Sequence, residues 1–173
     1  GPVALNTVDG NIKRIDVESC EEMYNAAITT FSGCDAAILC AAVADFRPEH
    51  VADKKIKREK DDIVLRLAPT HDIAAELGRI KNNRQILVGF ALETNDEDNN
   101  AKLKLERKNL DFIVLNSLRN EGTCFRSDEN QIKIISHNGE KVFPKKKKDE
   151  VAADIVEELF GKLGMRNSPE RAT

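Results

Sequence analysis

A carboxylate and a group of basic residues follow an alanine-rich apolar segment early in the chain. The apolar segment begins at Ala36, and Asp45 and Arg47 come at its end. Four more basic residues come shortly afterwards: Lys54, Lys55, Lys57 and Arg58. Ammonium groups neutralise phosphate oxygens, and a carboxylate can hold Mg²⁺. The pattern therefore indicates a site for a metal-bound polyphosphate, with Asp45 as the candidate Mg²⁺ ligand.

The spacing of the lysines also predicts how this segment is arranged. If the segment is extended, Lys55 and Lys57 point to the same side, and Ile56 between them anchors the loop to the core. Two alternatives stay open, because the run of charges could simply be solvated and Asp45 could be a cap at the end of a strand.

Three further groups of residues could contact a nucleotide. Residues 71–74 (His71, Asp72, Ile73 and Ala74) begin a helix, where free backbone N–H groups can bind an anion. Phe90 lies near the end of an apolar run and could contact a base. Lys104 and Lys108 are four residues apart and share one face of a polar helix. The structural alternatives are helix capping by Thr70 or Asp72, core packing of Phe90, and an exposed helix face.

The overall composition excludes several classes of protein. The 27 basic and 30 acidic residues give a net charge of −3, which predicts no general affinity for nucleic acid or membranes. No apolar stretch approaches the length of a membrane span, and we see no signal peptide. The four cysteines show neither CxxC pairing nor zinc-ligand spacing, so we expect reduced thiols and a cytoplasmic protein. Cys40, within the alanine-rich segment, is expected to fill the core.

The elements that must position these residues alternate between strand and helix, which predicts an α/β domain with a mainly parallel sheet flanked by helices. We expect strands at 12–17, from residue 36, and at 63–67, 86–92 and 111–116. We expect helices that begin at Ser19, at Thr70 or Asp72, and near Asn95. The strand from residue 36 is predicted to be fully buried, because it is a short continuous apolar run.

The last third of the chain departs from this alternation of strands and helices. Residues 117–130 look like a long loop, and residues 132–135 and 141–143 flank a turn at His137-Asn138-Gly139, which predicts an inserted β-hairpin. A final helix is expected from about Lys148 to Leu163. We therefore divide the chain into one domain, residues 1–163, and a flexible tail, residues 164–173.

Taken together, four segments in order resemble bacterial phosphopantothenoylcysteine synthetase, the domain that usually forms the C-terminal half of a bifunctional coenzyme A biosynthesis protein. The segments lie at residues 41–48, 54–57, 88–94 and 104–111, and Phe125, Asp128 and Asn130 continue the pattern. Each motif is weak alone, but their order and gaps are specific. The resemblance runs from near residue 1 to about residue 160.

This resemblance implies a Rossmann-like fold, a homodimer, Mg²⁺ and CTP. It implies that 4′-phosphopantothenate is activated as an acyl-cytidylate, which cysteine then converts to an amide. Lys55 matches the lysine implicated in catalysis and nucleotide binding. The nucleotide-binding positions match Asp45, His71, Asp72, Ile73, Ala74, Phe90, Lys104 and Lys108. Ala41 and Ala42 match a substrate-pocket segment, and Asn116 with the hairpin after it matches a region of dimer contacts.

The beginning of the chain departs from the family pattern. The family domain starts with a glycine-rich phosphate loop and a segment with an asparagine that handles the acyl intermediate, and neither can be assigned here. We therefore expect a synthetase domain without its N-terminal segment, and the resemblance allows a flavin-dependent decarboxylase domain fused upstream. The alternative function is a nucleotide-binding or dimerisation module without chemistry. An oxidoreductase is disfavoured, because no GxGxxG motif occurs.

Overall fold

The computed structural model describes residues 6–58, 62–93, 95–117 and 127–167. Four helices are present in this part of the chain: α1 Cys20–Phe31, α2 Ile73–Ile80, α3 Glu97–Arg107 and α4 Lys148–Asn167. The strands are β1 Ala36–Leu39, β2 Phe46–Pro48, β3 Leu67–Pro69, β4 Ile86–Glu93, β5 Phe112–Ser117, β6 Glu129–Asn130, β7 Ile132–Ser136, β8 Gly139–Val142 and β9 Lys146–Lys147.

The central sheet has five strands in the order β1-β4-β5-β7-β8. Strands β1, β4 and β5 are parallel, and the β7–β8 hairpin adds two antiparallel strands. Two short antiparallel pairs, β2–β3 and β6–β9, lie outside this sheet. The predicted α/β, Rossmann-like fold with an inserted β-hairpin is confirmed.

Helices cover both faces of the sheet. On one face, Leu87 of β4 belongs to a core with Leu77 of α2 and Leu105 of α3. On the other face, Val88 of β4 packs in a core with Ile155 of α4. Neighbouring residues of a strand point to opposite faces, which explains how one continuous apolar run serves both cores.

The first helix begins as the sequence predicts. The Ser19 hydroxyl accepts a hydrogen bond from the Glu22 N–H, and the Glu22 carboxylate accepts one from the Ser19 N–H. This reciprocal capping box satisfies two backbone donors that the helix leaves unpaired. Because Glu22 accepts backbone hydrogen bonds from Glu18 and Ser19, its pKa lies below the usual value.

Three strand predictions are wrong in whole or in part. Residues 12–17 form no strand, and the strand predicted at 63–67 is replaced by the short β3, which begins at Leu67. The alanine-rich strand is only four residues long and is not fully buried, because β1 is an edge strand and Ile38 remains 41% exposed. Apolar content alone does not distinguish an edge strand from a central one.

The C-terminal elements agree better with the prediction. The hairpin turn lies between β7 and β8, as expected. Helix α4 continues to Asn167, so the predicted helix end at Leu163 is wrong and the first four residues of the expected tail are helical. Residues 168–173 lie outside the described residues, as does most of the predicted loop at 117–130.

Candidate functional site

A cavity of about 490 Å³ lies at the carboxyl edge of the parallel strands. Its walls include Leu39 at the end of β1, Gly89 and Phe90 in β4, and the first turn of α2. The volume is in the range of cavities that hold small-molecule ligands. In open α/β sheets, ligands bind at this edge of the sheet.

Most of the residues singled out from the sequence line this one cavity. They come from four separate segments and are Ala41, Asp45, His71, Asp72, Ile73, Ala74, Phe90, Lys104 and Lys108. Two of the predicted residues, Ala42 and Lys55, do not line the cavity and are exposed. The structure thus brings together every predicted nucleotide contact except Lys55.

The first turn of α2 forms one wall of the cavity. Asp72 is the N-cap residue, and its carboxylate accepts a hydrogen bond of 3.1 Å from the Ala75 N–H. Partial burial raises the pKa of Asp72, but the hydrogen bond from Ala75 and the contact with Lys108 outweigh burial and hold the pKa below 3.8. Asp72 is therefore ionised at neutral pH.

Each of the two cavity lysines has a carboxylate partner. The Lys104 ammonium lies 2.6 Å from a carboxylate oxygen of Glu93, and the Lys108 ammonium lies 3.0 Å from Asp72. The two like charges on α3 are therefore balanced separately, one from the end of β4 and one from the cap of α2. Glu93 was missed by the sequence reasoning, although it directly follows the apolar run that contains Phe90.

Packing against α2 fixes the position of Lys108. A side chain at Gly78 would place its Cβ 1.9 Å from the Lys108 carbonyl oxygen, so only glycine allows this approach. Asn109, the next residue, has a φ of 47° and donates a hydrogen bond of 2.8 Å to the Gly78 carbonyl. The end of α3 is thereby docked on the last turn of α2.

Asp45 is held beside the start of α2 by backbone hydrogen bonds. The Thr70 N–H donates to the Asp45 carbonyl at 2.9 Å, and the Thr70 hydroxyl donates to the Ala44 carbonyl at 2.6 Å. These bonds join the segment after β1 to the segment before α2, so residues distant in sequence meet at one end of the cavity.

Asp45 would suit a metal ion whose other ligands were phosphate oxygens of a bound ligand. The described residues contain no group of three or more histidine, cysteine, aspartate or glutamate side chains that could hold a metal ion by themselves. Mg²⁺ is commonly bound through one or two carboxylates together with substrate phosphates. Asp45 in the cavity wall suits that arrangement, whereas Asp72 in the same wall is paired with Lys108.

The basic segment has a different environment from the one predicted. Residues 51–58 form neither helix nor strand, and Ile56 is 58% exposed, so Ile56 does not anchor the loop to the core. The flanking β2–β3 ribbon is also exposed, including Phe46 at 60%. The prediction was wrong because the alternation of lysine with an apolar residue does not show whether another part of the protein packs against that apolar residue.

Helix α1 contributes residues that the sequence reasoning did not assign to the site. Met23 and Ala27, one turn apart, line the cavity. The Tyr24 ring stacks on His71 with centroids 4.3 Å apart, and a His71 ring nitrogen lies 3.5 Å from the Glu21 carboxylate. The i, i+4 spacing of Met23 and Ala27 was the available signal, and no role in the site was inferred from it.

Cys40 is also placed differently from the prediction. It is exposed and lines the cavity, whereas we expected it to fill the core. Cys20 and Cys34 are free thiols as well, so the described cysteines form no disulfide framework. Within the described residues, no helix is long and apolar enough to cross a membrane.

The structure defines an α/β domain with a cavity, the candidate ligand site, at the carboxyl edge of its parallel strands. Residues 1–162 match the family described as DNA/pantothenate metabolism flavoprotein C-terminal domain, and the chain belongs to that family. The resemblance to bacterial phosphopantothenoylcysteine synthetase drawn from the motifs is thereby confirmed.

Individual relatives match nearly the whole chain, although their names differ. The coenzyme A biosynthesis bifunctional protein CoaBC of Haemophilus influenzae is 43% identical over 160 residues, covering 92% of this chain and 40% of that protein. A protein named cysteine/cysteine sulfinic acid decarboxylase, from an unknown prokaryotic organism, is 54% identical over 162 residues, covering 92% of this chain and 45% of its own length. The chain therefore spans less than half the length of these relatives.

Solved structures show the same fold. The crystal structure of the C-terminal domain of CoaBC has a TM-score of 0.76 and 32% identity, covering 94% of this chain and 71% of that one. A Cab2 variant in complex with phosphopantothenate-cysteine has a TM-score of 0.56 and 20% identity, covering 84% of this chain and 49% of that one.

Proposed function

We propose that this chain is the synthetase domain of a CTP-dependent phosphopantothenate–cysteine ligase of coenzyme A biosynthesis. The observation that carries the proposal is the meeting of four sequence segments on one cavity, which contains every proposed nucleotide contact except Lys55. The names of the CoaBC relatives support the pathway. The choice of CTP over ATP follows from the family resemblance.

The proposed reaction has two steps. A carboxylate oxygen of 4′-phosphopantothenate forms a bond to the α-phosphorus of CTP, and the bond to pyrophosphate breaks. The amine of cysteine then attacks the acyl carbon, loses a proton, and displaces CMP to give the amide. Mg²⁺, when bound through Asp45 and the phosphates, would offset negative charge during the first step.

The residues of this chain would bind and orient the nucleotide. Lys104 and Lys108 offer ammonium groups to phosphate oxygens, and the N–H groups in the first turn of α2 offer backbone donors. Phe90 offers an apolar surface to the base. The small side chain of Ala41 leaves room for 4′-phosphopantothenate beside the cavity wall, and Ala42 is proposed to contact it from the adjoining segment.

Lys55 remains part of the proposal as the catalytic residue. Its segment begins at the cavity edge, since β2 starts directly after Asp45. An ammonium that reaches the α-phosphate from this segment would stabilise charge that grows in the transition state. The proposal therefore requires the segment that carries Lys55 to approach the bound nucleotide.

Further parts of the proposal concern the complete protein. We propose a homodimer with contacts near Asn116 and the following hairpin, a flavin-dependent decarboxylase domain fused upstream, and a cytoplasmic location. The free thiols fit a reducing compartment. The decarboxylase name of one relative does not favour decarboxylation by this domain, because the match covers only 45% of that protein.

The proposal is tested by turnover in the full-length protein. With Mg²⁺, CTP, 4′-phosphopantothenate and cysteine, we expect release of pyrophosphate and CMP that depends on every component. Lys55→Gln should abolish turnover, whereas Lys147→Gln, at an exposed lysine outside the cavity, should retain it. Normal turnover by Lys55→Gln contradicts the catalytic assignment. Binding of CTP without any turnover supports the alternative, a nucleotide-binding module without chemistry.

A further inference from the structure

The charges around the cavity do not favour a free polyphosphate. Asp45 and Asp72 line the cavity, and Glu93 lies against Lys104, so the cavity and its immediate surroundings hold three carboxylates and two ammonium groups, those of Lys104 and Lys108. His71 is paired with a carboxylate of its own, Glu21. A nucleoside triphosphate without a bound cation would add further negative charge to a site that has no excess of positive charge among its described residues.

Glu93 is the carboxylate in this group that is least able to move away. Its side chain is only 15% exposed, whereas the side chain of its partner Lys104 is 45% exposed. It is the last residue of β4, and the Asn100 amide lies 3.5 Å from its second oxygen. A phosphate that draws Lys104 away leaves a mostly buried carboxylate without its ion pair, which carries a free-energy cost.

We infer that Glu93 is a specificity-determining residue, which makes this cavity select the Mg²⁺-bound form of a nucleoside triphosphate over the free form. A divalent cation on the phosphates reduces their repulsion from Glu93. It also supplies positive charge in place of the lysine charge that the carboxylate partners neutralise. Glu93 thus lowers affinity for the free nucleotide more than for the metal complex. This inference rests on the proposed function of the same cavity.

The substitution Glu93→Gln separates charge from shape. Glutamine keeps the size of the side chain and an oxygen that accepts a hydrogen bond from Lys104, but it removes the negative charge. Glu140→Gln is the matched control, because Glu140 pairs with Lys102 of the same helix at 2.8 Å. Residues 102 and 104 are about 200° apart around a helix, so the control removes the same charge away from the cavity.

The experiment is calorimetric titration of the full-length protein with CTP, once with Mg²⁺ and once with EDTA at equal ionic strength. For wild type we expect tighter binding of the Mg²⁺ complex. In Glu93→Gln the Kd for free CTP should fall roughly three- to fivefold and the preference should shrink by the same factor, with no such change in Glu140→Gln. Asp72→Asn should shift the preference in the same direction, since asparagine also caps a helix.

The outcomes distinguish this inference from the proposed function. If wild type binds both forms equally, or if Glu93→Gln keeps the wild-type preference, the role of Glu93 is contradicted while the nucleotide site stands. An equal change in Glu140→Gln also contradicts it, because the effect would then follow net charge. If wild type binds neither form, the proposed nucleotide site itself is contradicted.

Discussion

The ammonium of Lys108 lies 3.0 Å from the carboxylate of Asp72, so the end of α3 and the beginning of α2 are joined at the wall of the cavity. Asp72 also caps α2 through the Ala75 N–H. One carboxylate therefore stabilises a helix terminus and holds a lysine that is proposed to contact phosphate. Substitutions at Asp72 should therefore change two quantities, the free energy of unfolding and the affinity for the nucleotide.

Substitutions at Asp72 test its role as a cap. Asp72→Ala removes the acceptor for the Ala75 N–H and should lower the free energy of unfolding by about 1 kcal/mol. Asp72→Asn retains the cap and should cost much less. Urea unfolding followed by circular dichroism checks both values, and equal losses in the two variants would mean that the cap contributes little.

The pH dependence of stability tests the ionisation of Asp72. Its folded-state pKa is lowered from 3.8, so its contribution is complete above the unfolded-state pKa and is lost as the pH falls through the folded-state pKa. The difference in unfolding free energy between wild type and Asp72→Asn should therefore shrink between neutral pH and about pH 3. A difference that grows on acidification would contradict the lowered pKa.

Gly78 tests the docking of α3 on α2. A Cβ at this position meets the backbone oxygen of Lys108 at 1.9 Å, so Gly78→Ala should destabilise the protein by about 3 kcal/mol or more and displace Lys108. Gly161→Ala is the control, because nothing lies within 4 Å of its added Cβ in α4. That variant should gain about 0.5–1 kcal/mol. Thermal unfolding of the two variants should shift in opposite directions.

The buried carboxylate of Asp111 provides a test at the other end of the sheet. Asp111 is 7% exposed and accepts hydrogen bonds from the Lys81 ammonium at 2.9 Å, from the Leu87 N–H at 2.7 Å, and from Arg166. Lys81→Met leaves the carboxylate with fewer partners and should cost about 2–3 kcal/mol, because Arg166 remains.

Arg79→Met is the control for Lys81→Met. Arg79 pairs with Glu76 on the exposed side of α2, and its side chain is 70% exposed, so its removal should change stability little. Chemical denaturation of both variants checks the comparison. A small effect of Lys81→Met would show that Arg166 and Leu87 alone satisfy Asp111.

The parts of the fold that sequence reasoning predicted well have local physical causes. The cap at Ser19, the long apolar run of β4 and the turn before Gly139 each act within a few residues. Strand β1 was predicted too long and too buried because edge or central position depends on which strands assemble beside it. That information is absent from the segment itself.

The candidate site was likewise predictable only where its features are local in sequence. Lys104 and Lys108 could be placed on one helix face from their spacing, and the family resemblance grouped them with Asp45 and Phe90. Glu93, the partner of Lys104, is eleven residues away in sequence and meets it only through the packing of α3 beside β4. The contact between Tyr24 and His71 likewise depends on the approach of α1 to α2.

The central claim is that the cavity binds the nucleotide through its lysines, and titration with Mg·CTP tests it most directly. Lys104→Gln removes an ammonium of the cavity, and Lys102→Gln removes one from the opposite side of α3. We predict that wild type and Lys102→Gln bind alike, whereas Lys104→Gln binds about five- to tenfold more weakly. Equal affinity of Lys104→Gln and Lys102→Gln, or no binding by wild type, would contradict the claim.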